Sequence, residues 1–127
     1  MPIIRIESLI TDQHFSIQKI CKEISKHFSE MTKIDEKFIS VVWYTIQPAC
    51  YCEAGITASS QPENSHPALV TLLVPNIHRQ DRQKELLNAL AKSMTKYTPF
   101  KLDNIFIHLQ VAESGQVFDQ GEIQYFD

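Results

Sequence analysis

The sequence predicts an α+β fold in which two β-α-β repeats form a four-stranded sheet with two helices on one face. Three observations carry that prediction. Strand-like and helix-like stretches alternate along the chain. The alternation occurs twice. Equivalent positions also recur at near-constant spacing: Pro2 precedes the first strand and Pro67 the third, 65 residues on, while the second and fourth strands begin near Phe38 and Asn104, 66 residues on. The expectation is one domain over 1–127, with pseudo-repeats of about 2–66 and 67–127.

Residues 3–9 (IIRIESL) alternate apolar and polar well enough for a strand. Residues 12–32 read as a helix. Ile17, Ile20, Cys21, Ile24, Phe28 and Met31 recur at three- and four-residue spacing, with Lys and Glu on the other side. Thr11 or Asp12 is the expected N-cap. Residues 38–46 (FISVVWYTI) are β-branched and aromatic, which favours a strand. Residues 47–66 carry Gln, Pro, Gly, Ser and Asn and read as a surface excursion. A loop of that length in a compact domain points either to function or to a short strand hidden inside it.

The second repeat follows. Residues 68–75 (ALVTLLVP) are a nearly unbroken apolar run, as expected of a strand buried on both faces. Residues 79–97 read as a helix with Leu86, Leu87, Leu90, Met94 and Tyr97 on one face, and 104–111 (NIFIHLQV) as the fourth strand. The tail 112–127 has two glycines and ends in EIQYF, which suggests a short edge strand. Helices on one face leave the other face of the sheet bare. A bare face with Val42, Tyr44 or Phe106 on it calls for a partner, so oligomerisation is expected.

Composition narrows the function. The formal net charge is −3 and no Lys/Arg cluster stands out, so nucleic acid is not an expected partner. No apolar run approaches the roughly 20 residues of a membrane helix. The start MPIIRIESLI lacks the basic and apolar regions of an export signal, which makes the cytoplasm the expected compartment. The three cysteines then read as free thiols, buried as small apolar groups. Cys50 and Cys52 form a C-x-C without a second pair at zinc spacing, so no metal is expected. No nucleophile elbow, phosphate loop or dinucleotide fingerprint is present.

Three features carry possible chemistry. The first is Pro2. Methionine is commonly trimmed before a residue as small as proline, and its loss would leave Pro2 as a free secondary amine. A terminal amine titrates near 8. Burial and nearby cations disfavour its charged form, which makes it a general base at neutral pH. With Met1 retained, Pro2 is a tertiary amide without a basic nitrogen, and by position alone a proline that merely starts a strand is the simpler explanation. The second feature is Arg79 and Arg82, three apart at the start of the second helix. Beside a helix N-terminus they would clamp a carboxylate. Pairing of Arg82 with Glu85 on a solvated face is the other reading. The third is His27, on the flank of the first helix's apolar stripe, where a half-buried structural histidine also fits. His14, His66 and His78 show no partner spacing.

Together the Pro2 start, the β-α-β repeat and the arginine pair resemble the tautomerase superfamily, the group of 4-oxalocrotonate tautomerase and macrophage migration inhibitory factor. FISVVWYTIQPA (38–49), HRQDR (78–82) and His27 followed by Met31-Thr32 are most similar to its cis-3-chloroacrylic acid dehalogenase group. The resemblance implies an amino-terminal proline as catalytic base or acid, a homotrimer and no cofactor. It implies that Arg79 and Arg82 bind the carboxylate of a small substrate and that His27 helps hold substrate or water. An ungapped match from NIFIH places His108, expected among the substrate-binding residues, where the group has a tyrosine, and Asp119 where it has a glutamate; in the group both help activate water. Those two changes weaken hydrolytic dehalogenation and leave proton transfer by Pro2 intact. The expected activity is tautomerisation of a small 2-oxo or enol carboxylate. Hydration or dehalogenation of an unsaturated acid by the same residues, and a trimeric binding protein without chemistry, remain the alternatives.

Overall fold

The computed structural model describes residues 1–11 and 15–126. The two repeats are β1 (Ile3–Ser8), α1 (Ile17–Thr32) and β2 (Ser40–Thr45), then β5 (Ala68–Pro75), α2 (Gln80–Tyr97) and β6 (Ile105–Ala112). They build one four-stranded sheet in the order β2-β1-β5-β6. Each repeat pairs its own strands in parallel, as a helical crossover requires, and the repeats join through antiparallel β1 and β5. Between the repeats lies a hairpin of β3 (Tyr51–Glu53) and β4 (Ile56–Ala58). After them comes a second hairpin, β7 (Val117–Asp119) and β8 (Glu122–Gln124).

Alternation decides which side of the sheet is buried. Ile4 stands between Val41 and Leu72, and Ile6 between Trp43 and Val70. These residues face the helices with Ala68 and Val74. Ile20, Ile24 and Phe28 from α1 and Leu86, Leu90 and Met94 from α2 close the core. The α1·α2 seam completes the helical layer.

Several expectations change on folding. The helix expected from residue 12 begins at Ile17, with Ser16 as its N-cap accepting from the Lys19 N–H at 3.3 Å. Asp12, the alternative cap, lies outside the described residues, as does His14. Ile17 and Met31 sit exposed at the ends of α1, because the buried stripe is the i, i+4 row of Ile20, Ile24, Phe28 and Thr32. The second strand starts at Ser40 because Glu36–Phe38 form a 3₁₀ turn, which leaves Phe38 exposed. β5 is covered on one face only. Leu69 is exposed and Thr71 and Leu73 are half-buried, because one chain supplies no second layer.

The excursion 47–66 holds the hidden strands. His66, 3% exposed, pins the hairpin: its Nε2 reaches Ile56 O at 2.8 Å, Nδ1 lies 3.0 Å from Ser65 Oγ, and its main-chain N–H donates to the Glu53 carboxylate. The Tyr51 hydroxyl donates to Pro67 O at 2.9 Å. Gln61 joins the His66 carbonyl to the Leu9 N–H. This excursion is therefore architecture at the end of β1. Both hairpins turn on two residues with positive φ, Ala54 (52°) with Gly55 (79°) and Gln120 (54°) with Gly121 (83°). That pattern matches the type I′ turn whose twist suits a hairpin. The tail EIQYF pairs with β7 rather than with an edge of the main sheet.

Candidate active site

The topology gathers distant residues at one end of the sheet. Parallel pairing sets Ser40 beside Ile3, so the chain arriving from α1 passes the amino terminus, and Ser40 N–H donates to Pro2 O at 3.0 Å. Antiparallel pairing sets Leu73 beside Ile3, so the chain leaving β5 turns into α2 at the same place. Pro2 is buried there. The missing N–H costs nothing one residue before β1, where no ladder bond calls for it.

The arginines occupy the α2 side. Arg79 is the N-cap residue of α2, with a main-chain but no side-chain cap bond, and its side chain is exposed. Among the described residues its guanidinium has no ion pair. Arg82 lies in the first turn. Its Nη2 donates to the carbonyl of Thr32, the last residue of α1, and its Nη1 is 3.2 Å from Glu85 Oε2. A basic residue in a first turn opposes the helix dipole. The contact with Thr32 offsets this by placing the cation on the carbonyl end of α1, where the dipole favours it.

On the other side, a cavity of about 290 Å³ is lined in part by Met1, Ile3, Lys37, Phe38, Phe118 and Asp119. Burial holds the terminal amine below the usual value of such a group, and the Asp119 carboxylate opposes that shift. Asp119 ends β7, and its Oδ1 accepts from the Gln120 N–H at 3.0 Å. His78 is half-buried in the turn before α2. Burial lowers its pKa first, and the charges of Arg82 and the terminal amine lower it further. The amine, His78, Arg82 and Asp119 thus form one electrostatic cluster.

The structure does not bring every expected residue into that cluster. His27 faces α2: its Nδ1 is 2.7 Å from Ser93 Oγ and its ring meets Tyr97 edge-on at 5.6 Å. Its pKa is lowered by burial and by Lys96, with Glu30 opposing. Thr32, where Arg82 docks, lies five residues further along α1, roughly a turn and a half away. His108 pairs with Thr71 and is exposed on the sheet face opposite the helices, in a row with Arg5. Cys50 and Cys52 are exposed and Cys21 half-buried, so none is a buried apolar filler; all three are free. Among the described residues no three His, Cys, Asp or Glu side chains converge as a metal site.

Lys37, Phe38 and His78 belong to this end of the molecule, and none of them was singled out from the sequence as a site residue. The available hint for His78 was its place at the head of HRQDR (78–82), next to Arg79. Its proximity to the amine follows from strand order, which spacing does not encode.

Two β-α-β units joined in one sheet are an architecture known from solved structures, and the chain has the fold of the tautomerase superfamily. Pt0534 inactivated by 2-oxo-3-pentynoate superposes with a TM-score of 0.75 at 13% identity, over 96% of this chain and 94% of that one. A wild-type fused 4-OT, an asymmetric trimer, gives 0.76 at 6% identity, over 95% and 94%. N1, a member of the cis-3-chloroacrylic acid dehalogenase family, gives 0.72 at 7% identity, over 96% and 82%. No protein-family pattern matches the sequence, and no curated protein matches it.

Proposed function

We propose that this chain is an isomerase of the tautomerase type, acting on a small 2-oxo or enol carboxylate with Pro2 as its base. The observation that carries the reading is that the amino terminus shares a cavity with Asp119 and that His78 feels the charges of both the terminal amine and Arg82. Removal of Met1 exposes the Pro2 nitrogen. Pro2 is buried, so the desolvation that depresses the present terminal amine acts on the new one as well. Kept neutral, that nitrogen takes a proton from the enol oxygen or the substrate carbon and returns it to the other atom. Arg79 and Arg82 hold the carboxylate and stabilise the negative charge that forms between the two transfers.

Asp119 favours a second reading. Its charge works to keep the amine protonated. A protonated Pro2 would deliver its proton to carbon while Asp119 directs water at the neighbouring carbon, which is hydration or dehalogenation of an unsaturated acid. His27 and His108 enter either reaction only if assembly or substrate binding brings them to the site. A homotrimer supplies the partner that the bare sheet face needs: Tyr44 and Phe106 are 56% and 57% exposed on it, and fused 4-OT forms trimers. Among the described residues no helix is long and apolar enough to cross a membrane. The cytoplasm fits the proposed small-acid substrate.

The deciding experiment combines intact mass with 2-oxo-3-pentynoate, the compound that inactivates Pt0534. A basic Pro2 nitrogen adds to the activated triple bond of this 2-oxo acid. The expected result is a chain lighter by one methionine that gains one reagent mass at Pro2, and Pro2→Ala that loses tautomerisation of phenylenolpyruvate with its fold intact. Full mass in the natural host, or unchanged activity in Pro2→Ala, removes Pro2 from the mechanism. A pH–rate profile with activity confined to the neutral amine excludes the hydratase reading.

A further inference from the structure

Arg82 already holds a carboxylate. Glu85 Oε2 lies 3.2 Å from its Nη1, while its Nη2 donates to the Thr32 carbonyl. The two contacts differ in kind. The Thr32 carbonyl belongs to the main chain of a residue 1% exposed at the end of α1, so it cannot leave without moving the helix. The Glu85 side chain is 66% exposed and Arg82 only 32%, so the carboxylate is the partner free to swing into water. Asp81 is no rival for the guanidinium, because its Oδ1 accepts from the Arg82 main-chain N–H at 2.9 Å. The guanidinium is therefore fixed on one side and occupied on the other by a detachable anion. That anion has the same chemistry as the proposed substrate.

We propose that Glu85 is an internal competitor for the carboxylate seat on Arg82, occupying it in the empty protein and leaving when a small 2-oxo carboxylate binds. The inference rests on the carboxylate-clamp part of the proposed function and is independent of Pro2 as base. Arg79, unpaired among the described residues, makes the first contact with the incoming anion. Arg82 accepts it as Glu85 turns outward. Glu85 in this role sets affinity rather than rate. An exposed ion pair three residues apart on a helix is weak, so its removal is worth about two- to fivefold in binding.

Calorimetric titration with 2-oxobutanoate tests this without requiring turnover. At low salt Glu85→Gln binds the acid about two- to fivefold more tightly than the natural chain, and Glu85→Asp, shorter by one methylene, falls between. The gap narrows at high salt, because the pair it removes is screened. In an Arg82→Ala background Glu85→Gln brings no gain. Where turnover is measured, KM falls and kcat stays constant. Equal or weaker binding by Glu85→Gln overturns the proposal, since Glu85 would then be orienting Arg82. So does a gain that persists without Arg82, which would be a general charge effect, and so does absence of binding by every variant. Failure of 2-oxo-3-pentynoate to label Pro2 would instead count against the proline base and leave the competition for Arg82 standing.

Discussion

Nδ1 of His27 stands 2.7 Å from Oγ of Ser93 across the seam between α1 and α2. Ser93 Oγ donates its proton to Ala89 O at 3.0 Å, which leaves the imidazole Nδ1–H as donor to Ser93. The bond thus joins two helices and fixes the ring. His27→Ala should destabilise the protein by about 1 kcal/mol, read as a lower urea midpoint at constant m-value. His27→Gln should leave tautomerisation close to that of the natural chain. A large fall in kcat with unchanged stability would place His27 at the substrate instead.

Two histidines make stability depend on pH. His27 and His78 both titrate below the ordinary histidine value when folded, chiefly through burial. The unfolded chain therefore binds more protons as pH falls below about 6.5. Their contribution is fully present above that value and is lost as pH drops through the folded pKa values. Urea midpoints should fall between pH 7.5 and pH 5. The decline should flatten in the His27→Gln, His78→Gln double variant, and an unchanged slope would refute the assignment.

Arg79 and Arg82 should separate in stability though both are proposed to bind the substrate carboxylate. Arg82→Ala strips the Thr32 carbonyl of its partner and should cost about 1 kcal/mol. Arg79→Ala removes an exposed side chain and should stay within about 0.5 kcal/mol of the natural chain. Chemical denaturation gives the first comparison. Steady-state kinetics should show a raised KM for the 2-oxo acid in both.

Asp119 and burial act on the terminal amine in opposite senses, and burial is the stronger. Its carboxylate raises the amine pKa against the effect of burial, so Asp119→Asn should lower it. On the proposed reading Pro2 takes the place of that amine once Met1 is removed, and a base that works when neutral then keeps its activity to lower pH. The acid limb of kcat/KM should move to lower pH in Asp119→Asn, and a shift the other way would contradict the placement of Asp119 beside the amine.

The β3–β4 turn offers a stabilising change. Ala54 holds φ 52° at the first turn position, where Asn is favoured over a residue with a bare methyl. Ala54→Asn should raise the melting temperature without altering activity. No increase would mean that the hairpin is held by His66 and not by its turn.

The two short hairpins also explain what the sequence concealed. Ala54-Gly55 and Gln120-Gly121 have the glycine of a two-residue hairpin turn but not the Asn or Asp that usually announces it. Each flanking strand has three residues, too few for alternation to be read. The long elements were legible for the opposite reason. Ile20, Ile24 and Phe28 repeat over several turns, and Ala68, Val70, Leu72 and Val74 over a full strand, so the pattern survives local exceptions.

By itself the sequence determined the doubled β-α-β plan, the kind of each long element and the candidate status of Pro2, Arg79 and Arg82, because periodicity, propensity and position along the chain are local properties. Tertiary structure decided which of those residues keep company. Parallel β1–β2 and antiparallel β1–β5 pairing bring the end of α1, the start of α2 and Asp119 to the amino terminus. The same packing sends His27 into the helix seam and His108 to the open face. Those meetings depend on strand order and side-chain direction across long sequence separations, and no spacing along the chain contains them.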